Sequence, residues 1–200
     1  MKPNPYAYPS GPHNRRHGAS GWSDYQQYRP WLRDEFTFRC VYCLQREQWA
    51  DMRRAFQIDH FIPQKIRPDL KADYDNLIYL CPNCNSLKSA TLLPDPCKVD
   101  LRTCLKFLKN GEVKALNKSG ERIILVLDLN RSALVDHRRS RIGVLKTLYV
   151  HNQSEFKEMM RFPKDLPDLT QKPPKKNTRP KGVDSSWFAK REKGKLPEVY

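Results

Sequence analysis

Apolar residues in this chain come in short bursts divided by polar turns, and two blocks of such bursts lie between proline-rich polar ends. The first block spans about residues 24–90. There DYQQYRPWLRDEF predicts a short helix, with Pro30 in its first turn or at a kink. TFRCVYC predicts a strand running into a turn, and FQIDHFIP a strand stopped by Pro63. NLIYLCPNC predicts a second strand and turn, with NSLKSA beginning a helix. The second block spans about residues 100–160. LRTCLKFLKNG predicts a helix closed by Gly111, and the apolar run in ERIILVLDLN a strand. SALVDHRRSRIGVLKTLYV predicts an amphipathic helix with Ser132 as N-cap and Leu134, Val135, Ile142, Leu145 and Leu148 on one broad face.

The two ends lack such periodicity. Residues 1–22 are rich in Pro, Gly, Ser, Asn and Arg and contain no acid, which predicts disorder. From Phe162 onward Pro and Lys dominate, predicting an extended basic tail in which Trp187 and Phe188 are read as incidental. The expected organisation is therefore a disordered segment 1–22, a first domain 23–95, an accessory α/β block 96–161 and a tail 162–200. No internal repeat interrupts it.

Composition narrows the class. Two hundred residues allow one domain, or one with an appendage. Lys and Arg number 37 against 22 Asp and Glu, a net charge of +15, which suits a polyanionic partner such as nucleic acid. An anionic membrane surface or mere solubility would also fit a positive charge. No apolar run approaches the roughly 20 residues needed to cross a bilayer. The first residues lack the apolar stretch of a secretory signal, so a cytoplasmic protein without a membrane role is expected. In a reducing compartment the six cysteines are better read as metal ligands or buried thiols than as disulfides.

Four of them are paired as Cys40-Val-Tyr-Cys43 and Cys81-Pro-Asn-Cys84. Each C-x2-C turn can present two thiolates to one ion, and four thiolates make a closed tetrahedral structural zinc site. Composition alone would also allow an iron–sulfur site or two unrelated pairs. The spacer, residues 44–80, is longer than the roughly 15–20 residues of a compact zinc ribbon, so something is inserted between the knuckles. Cys97 and Cys104 fall outside the pattern and are read as free thiols.

The insert carries Asp59-His60-Phe61-Ile62-Pro63 and then Asp75-Asn76-Leu77; Asn85 and Lys88 follow the second knuckle. The DH-x-x-P, D-N-L and C-x2-C-N-x-x-K elements, in this order, resemble the HNH (ββα-metal, or His-Me finger) endonucleases over about residues 36–90. The likeness is to the variant with Asn at the third motif position, where many members have His. It implies an α+β fold with a small ββα-metal core and a four-Cys zinc site, followed by a helical and strand block. It also implies metal-dependent hydrolysis of phosphodiester bonds in DNA. His60 would be the general base, since imidazole titrates near neutral pH. Asp59 and the amide oxygen of Asn85 would hold a catalytic Mg²⁺ or Mn²⁺, hard ions that suit oxygen donors, while zinc keeps the thiolates. Asn76 would orient the loop that carries His60.

Other features leave alternatives open. Lys88 would lie near substrate phosphates by the resemblance, or is a solvated helix lysine. Arg138, Arg139 and Arg141 in the second-block helix would grip the DNA backbone, or form a solvated face. DLNRSALVDHRRSR resembles a segment of bacterial HNH proteins that accompany defence ATPases, which implies antiviral defence and a larger protein partner. His13, His17 and His151 are read as surface histidines. Tyr25, Tyr28, Trp31 and Trp49 are read as packing residues, with base stacking as the alternative. Against the endonuclease stands a zinc-ribbon-like DNA-binding module without chemistry, or an accessory subunit of a larger complex. The Asp59-His60 pair favours the enzyme.

Overall fold

The computed structural model describes residues 5–49 and 55–200. In chain order the elements are β1 (Ala19–Ser20), α1 (Arg29–Glu35), β2 (Gln57–His60), β3 (Leu77–Leu80), α2 (Pro82–Lys88), β4 (Leu105–Phe107) and β5 (Val113–Ala115). They continue with α3 (Lys118–Val126), α4 (Ser132–His151), α5 (Gln153–Met160), β6 (Lys176–Asn177), α6 (Lys181–Asp184) and α7 (Trp187–Glu192). The fold is mixed α+β, with the strands pairing as three small antiparallel sheets: β1–β6, β2–β3 and β4–β5. One contiguous apolar core draws on both sequence blocks, from Tyr28, Trp31 and Leu80 to Leu129, Leu145 and Phe156. Among the described residues no helix is long and apolar enough to cross a membrane.

Local chemistry explains the first block. Pro30 and Pro82 stand at the starts of α1 and α2, where an absent amide proton costs nothing. A short 3₁₀ turn, Tyr25–Tyr28, leads into α1 and is capped by Asp24, whose carboxylate accepts from the Gln26 amide at 2.9 Å. TFRCVYC is not a strand; it forms a turn closed by a single bridge between Arg39 and Arg46.

Two expectations for the second block are corrected. ERIILVLDLN forms α3 and a following turn. Asn117 caps that helix by accepting from the Gly120 amide at 2.9 Å, with Glu121 in its first turn. In a strand Ile123, Leu125 and Leu127 would share a face. Here Ile123 and Leu127 are buried, one helical turn apart, while Leu125 is 81% exposed. LRTCLKFLKNG opens with a 3₁₀ turn, Leu101–Thr103, and then forms the first arm of a hairpin, with Leu105 and Phe107 inward and Lys106 outward. Gly111 does not close a helix. It turns the β4–β5 hairpin with φ +90°, and a Cβ there would lie 2.3 Å from the Val135 carbonyl oxygen. The predicted long helix is α4, one residue off in its cap: Arg131 holds that position and Ser132 begins the helix.

The ends are also corrected. Of the segment expected to be disordered, residues 1–4 lie outside the described residues. From there on it packs down: Tyr6 and His17 are buried, and β1 pairs with β6 across the chain, Ala19 with Asn177 and Ser20 with Lys176. The tail forms β6, α6 and α7. Trp187 and Phe188 join a second apolar cluster around Phe38, Phe162 and Leu166. The ordering force is charge. Asp34 and Glu35 end α1, where the helix dipole disfavours acids. The N-terminal strap supplies the cations. Asp34 Oδ2 accepts from Arg16 and His17, both at 2.8 Å, and Asp34 Oδ1 from the Trp187 amide at 2.8 Å. Glu35 accepts from His13 at 3.0 Å, from the Arg16 and His17 amides and from Tyr74 Oη. Burial pushes the Glu35 carboxyl up, yet the His13 hydrogen bond and the charges of His13 and His17 win and hold it at about 2. His13 and His17 are therefore structural partners and not surface histidines.

Candidate active site

β2 and β3 run antiparallel, with Asp59 opposite Ile78 and His60 opposite Leu77 at the end of the ladder. Alternation sends Gln57 and Asp59 to one face of β2 and Ile58 and His60 to the other. α2 follows β3 through the second knuckle and lies on the face carrying Gln57 and Asp59. Asn85 Nδ2 donates to Gln57 Oε1, and one turn later Lys88 Nζ stands 2.8 Å from Asp59 Oδ2. Asp59 and Asn85 thus face the same strand–helix seam. Asp59 Oδ2 is buried, and no directed hydrogen bond among the described residues satisfies it.

The His60 ring is held on three sides. Its Nε2 donates to the Lys71 carbonyl at 2.9 Å, which leaves Nδ1 with the lone pair. Gln64 Nε2 donates to that nitrogen at 3.1 Å. The Tyr25 ring meets the imidazole edge-on, with centroids 4.7 Å apart. Asn76 clamps the loop that leaves His60. Its Oδ1 accepts from the Ile62 amide at 2.8 Å and its Nδ2 donates to the Ile62 carbonyl at 3.1 Å; its own carbonyl accepts from the Phe61 amide at 2.7 Å. Its Nδ2 also reaches the Leu70 carbonyl at 3.3 Å, joining both ends of the loop.

Cys40, Cys43, Cys81 and Cys84 are buried and reduced, with all four Sγ atoms within 4.8 Å of one another. The first knuckle turns through Leu44 at φ +58°, and its Val41 amide donates to the Tyr79 carbonyl of β3 at 3.1 Å. The second knuckle is the start of α2 itself. Burial opposes ionisation of Cys40, yet thiol hydrogen bonds from Cys43, Cys81 and Cys84 hold it well below the ordinary thiol range. Four sulfurs at this spacing fit a structural zinc. Cys97 and Cys104 stand apart from them.

The two pairs of cysteines thus flank the hairpin that carries Asp59, His60 and Asn76, and the helix that starts at the second pair carries Asn85. Residues 40–91 match the HNH endonuclease family model. The HNH segment covers the hairpin, α2 and both knuckles, and leaves α3 to α7 outside. Comparison of the chain with curated proteins finds no match.

The basic residues expected at DNA are placed differently. Lys88 has a fully buried side chain that donates to the His60 carbonyl at 3.0 Å and pairs with Asp59, so it is not a solvated lysine. Arg138 is buried too. Its Nε donates to the Gly111 carbonyl at 2.6 Å and its Nη2 to the Leu129 carbonyl, tying the β4–β5 turn to α4. Arg139 is exposed but pairs with Asp136 at 2.8 Å, and Arg141 donates to the Trp49 carbonyl at 3.0 Å. Helical spacing put these arginines on one element but could not show that the hairpin turn takes Arg138, a neighbour on the same helix Arg139, and the Trp49 carbonyl Arg141. Gln57 and Gln64 escaped the sequence reading. Gln57 was findable, since it lies two residues before Asp59 on the same face of the strand.

Proposed function

We propose that this chain is a metal-dependent endonuclease that hydrolyses phosphodiester bonds in DNA, with β2, β3 and α2 as a ββα-metal cutting centre. One observation carries the reading above the others. Within an HNH-matching segment, His60 has its Nε2 proton engaged by a backbone carbonyl, which leaves Nδ1 as the basic nitrogen of the residue that follows Asp59 in the chain.

On this reading His60 Nδ1 takes the proton of a water attacking phosphorus, in place of the amide proton that Gln64 now offers it. The Lys71 carbonyl keeps accepting from Nε2 and so stabilises the imidazolium that results. Asn76 fixes the loop and with it the ring's position. Asp59 and the Asn85 amide oxygen would hold a Mg²⁺ or Mn²⁺. The Asp59 carboxylate and the Asn85 amide oxygen are hard oxygen donors on one strand–helix seam and fit such an ion. When bound, the ion neutralises phosphate charge and stabilises the leaving oxygen. Lys88 offsets the Asp59 charge and Asn85 is neutral, so substrate phosphate would supply much of the ion's negative partner. The four cysteines would hold zinc, which fastens the first knuckle to α2. A defence role and a larger ATPase partner are proposed on the likeness of DLNRSALVDHRRSR alone, and cytoplasmic action on the reading of the cysteines as thiols of a reducing compartment.

The test is plasmid cleavage with Mg²⁺ or Mn²⁺. His60→Ala should slow cutting by about 10²–10⁴-fold while zinc content and melting stay as in the wild type. Unchanged cutting by that variant would sink the mechanism. A wild type that binds DNA and never cuts it would favour the binding module.

A further inference from the structure

We infer that the C-terminal strap, residues 172–181, is the surface that grips the DNA backbone beside the candidate active site. This rests on the endonuclease reading for the identity of the polyanion, but its observations are separate. The strap, KPPKKNTRPK, contains no acid; the nearest are Asp168 and Asp184. Lys172, Lys175, Lys176 and Lys181 are all exposed, and none of them makes an ion pair among the described residues. The α4 arginines differ sharply, being buried or already engaged.

The strap is held rigidly against the HNH segment. Its strand β6 pairs with β1, and the Thr178 amide donates to the Gly18 carbonyl at 2.9 Å. Arg179 grips Asp75 through two hydrogen bonds, Nη1 to Oδ1 at 2.9 Å and Nη2 to Oδ2 at 2.7 Å. Asp75 precedes Asn76, the clamp of the His60 loop. The pairing partner β1 leads within a few residues to Tyr25, which packs on His60 itself. The strap is thus tied to the His60 loop from both sides.

Pro173, Pro174 and Pro180 restrict the backbone, so little chain entropy is left to lose on binding. Four free ammonium groups on an ordered segment match a regularly charged phosphate backbone, and phosphate contacts carry no sequence information, so the grip should be largely sequence-independent.

The experiment measures binding apart from cutting. Full-length His60→Ala protein is titrated by fluorescence anisotropy against a DNA duplex of about 30 base pairs over a range of salt. Its strap variant adds Lys172→Gln, Lys175→Gln, Lys176→Gln and Lys181→Gln. A matched control adds Lys106→Gln, Lys109→Gln, Lys114→Gln and Lys146→Gln, four exposed lysines of the second block. In the strap variant the slope of log K against log salt should fall by about 3 to 4, at roughly 0.9 for each phosphate no longer neutralised. The slope of the control should fall much less, and melting should be unchanged in both. Equal falls in the two variants would show an effect of net charge alone and overturn the proposal. So would an unchanged slope in the strap variant, or a wild type with no affinity for duplex DNA at low salt. Strap-dependent binding with no cutting by the unmutated chain would uphold this inference and defeat the nuclease mechanism.

Discussion

Lys88 carries the tightest constraint at the scale of single residues. Its ammonium is buried between two oxygens of consecutive residues, the Asp59 carboxylate and the His60 carbonyl. A buried lysine is tolerated only with such compensation. The pairing sets the distance between α2 and β2, and so the distance between Asn85 and Asp59. Lys88→Met keeps the stem and removes the charge, leaving the Asp59 carboxylate unbalanced. We expect a loss of about 3 kcal/mol in stability, read as a lower midpoint in urea, together with weaker DNA cleavage. An unchanged midpoint would mean that the ion pair contributes nothing. The motif spacing made Asp59, His60, Asn76, Asn85 and Lys88 legible as a set. It could not distinguish a lysine facing substrate from one facing the carboxylate next door, because both positions lie on the same helix face. Only the docking of α2 on β2 decides between them.

At the scale of elements, the C-terminal end of α1 is where stability should respond to acid. Glu35 is buried, and its folded carboxyl lies at about 2, against an ordinary 4.5. A depressed carboxyl stabilises the fold fully above its unfolded value. That contribution fades as the pH falls from about 4.5 toward 2, and at full strength it amounts to roughly 3 kcal/mol. Glu35→Gln should therefore melt well below wild type at pH 7, and the gap should close steadily as the pH drops below 4.5. Zinc loss at low pH would affect both proteins alike, so the difference between them is the measurement. A gap that stays constant with pH would show that the carboxylate charge is not what holds the strap. Elements with internal signals were readable from sequence: α1 by its proline, the second half of α2 in NSLKSA, α4 by its amphipathic run, β2 and β3 by their apolar runs. Where two periods compete over a few residues, the cap decides. The run from Ile123 to Leu127 fits a strand until Asn117 supplies an N-cap, and Leu105 to Phe107 fits a helix until Gly111 turns the chain back.

Over the whole molecule, the two ends of the chain close on each other and on the HNH segment, and nothing periodic announces it. The partners are far apart in sequence: His17 with Asp34, Arg179 with Asp75, β1 with β6, and the Trp187 indole donating to the Asp34 carbonyl at 3.1 Å. Composition reads such segments as disordered, because it sees few apolar residues and many charges. It cannot see that α1 ends in two buried acids that need external donors. Shortening the chain after Asp184 tests how far the core depends on this closure. The truncation removes the Trp187 amide and indole from Asp34, and it uncovers Phe38, Phe162 and Leu166, which now pack with Trp187, Phe188, Leu196 and Tyr200. Losing one large buried aromatic typically costs about 3–5 kcal/mol; these rings are partly exposed, so a total of about 3 kcal/mol is expected. The four zinc-knuckle cysteines belong to the main core and not to that cluster, so the truncated chain should bind zinc as before but melt at a lower temperature. Were melting unchanged, α7 would be an appendage. A loss of zinc as well would make the HNH segment and residues 185–200 a single cooperative unit, with α7 as necessary to the knuckles as the knuckles are to the hairpin.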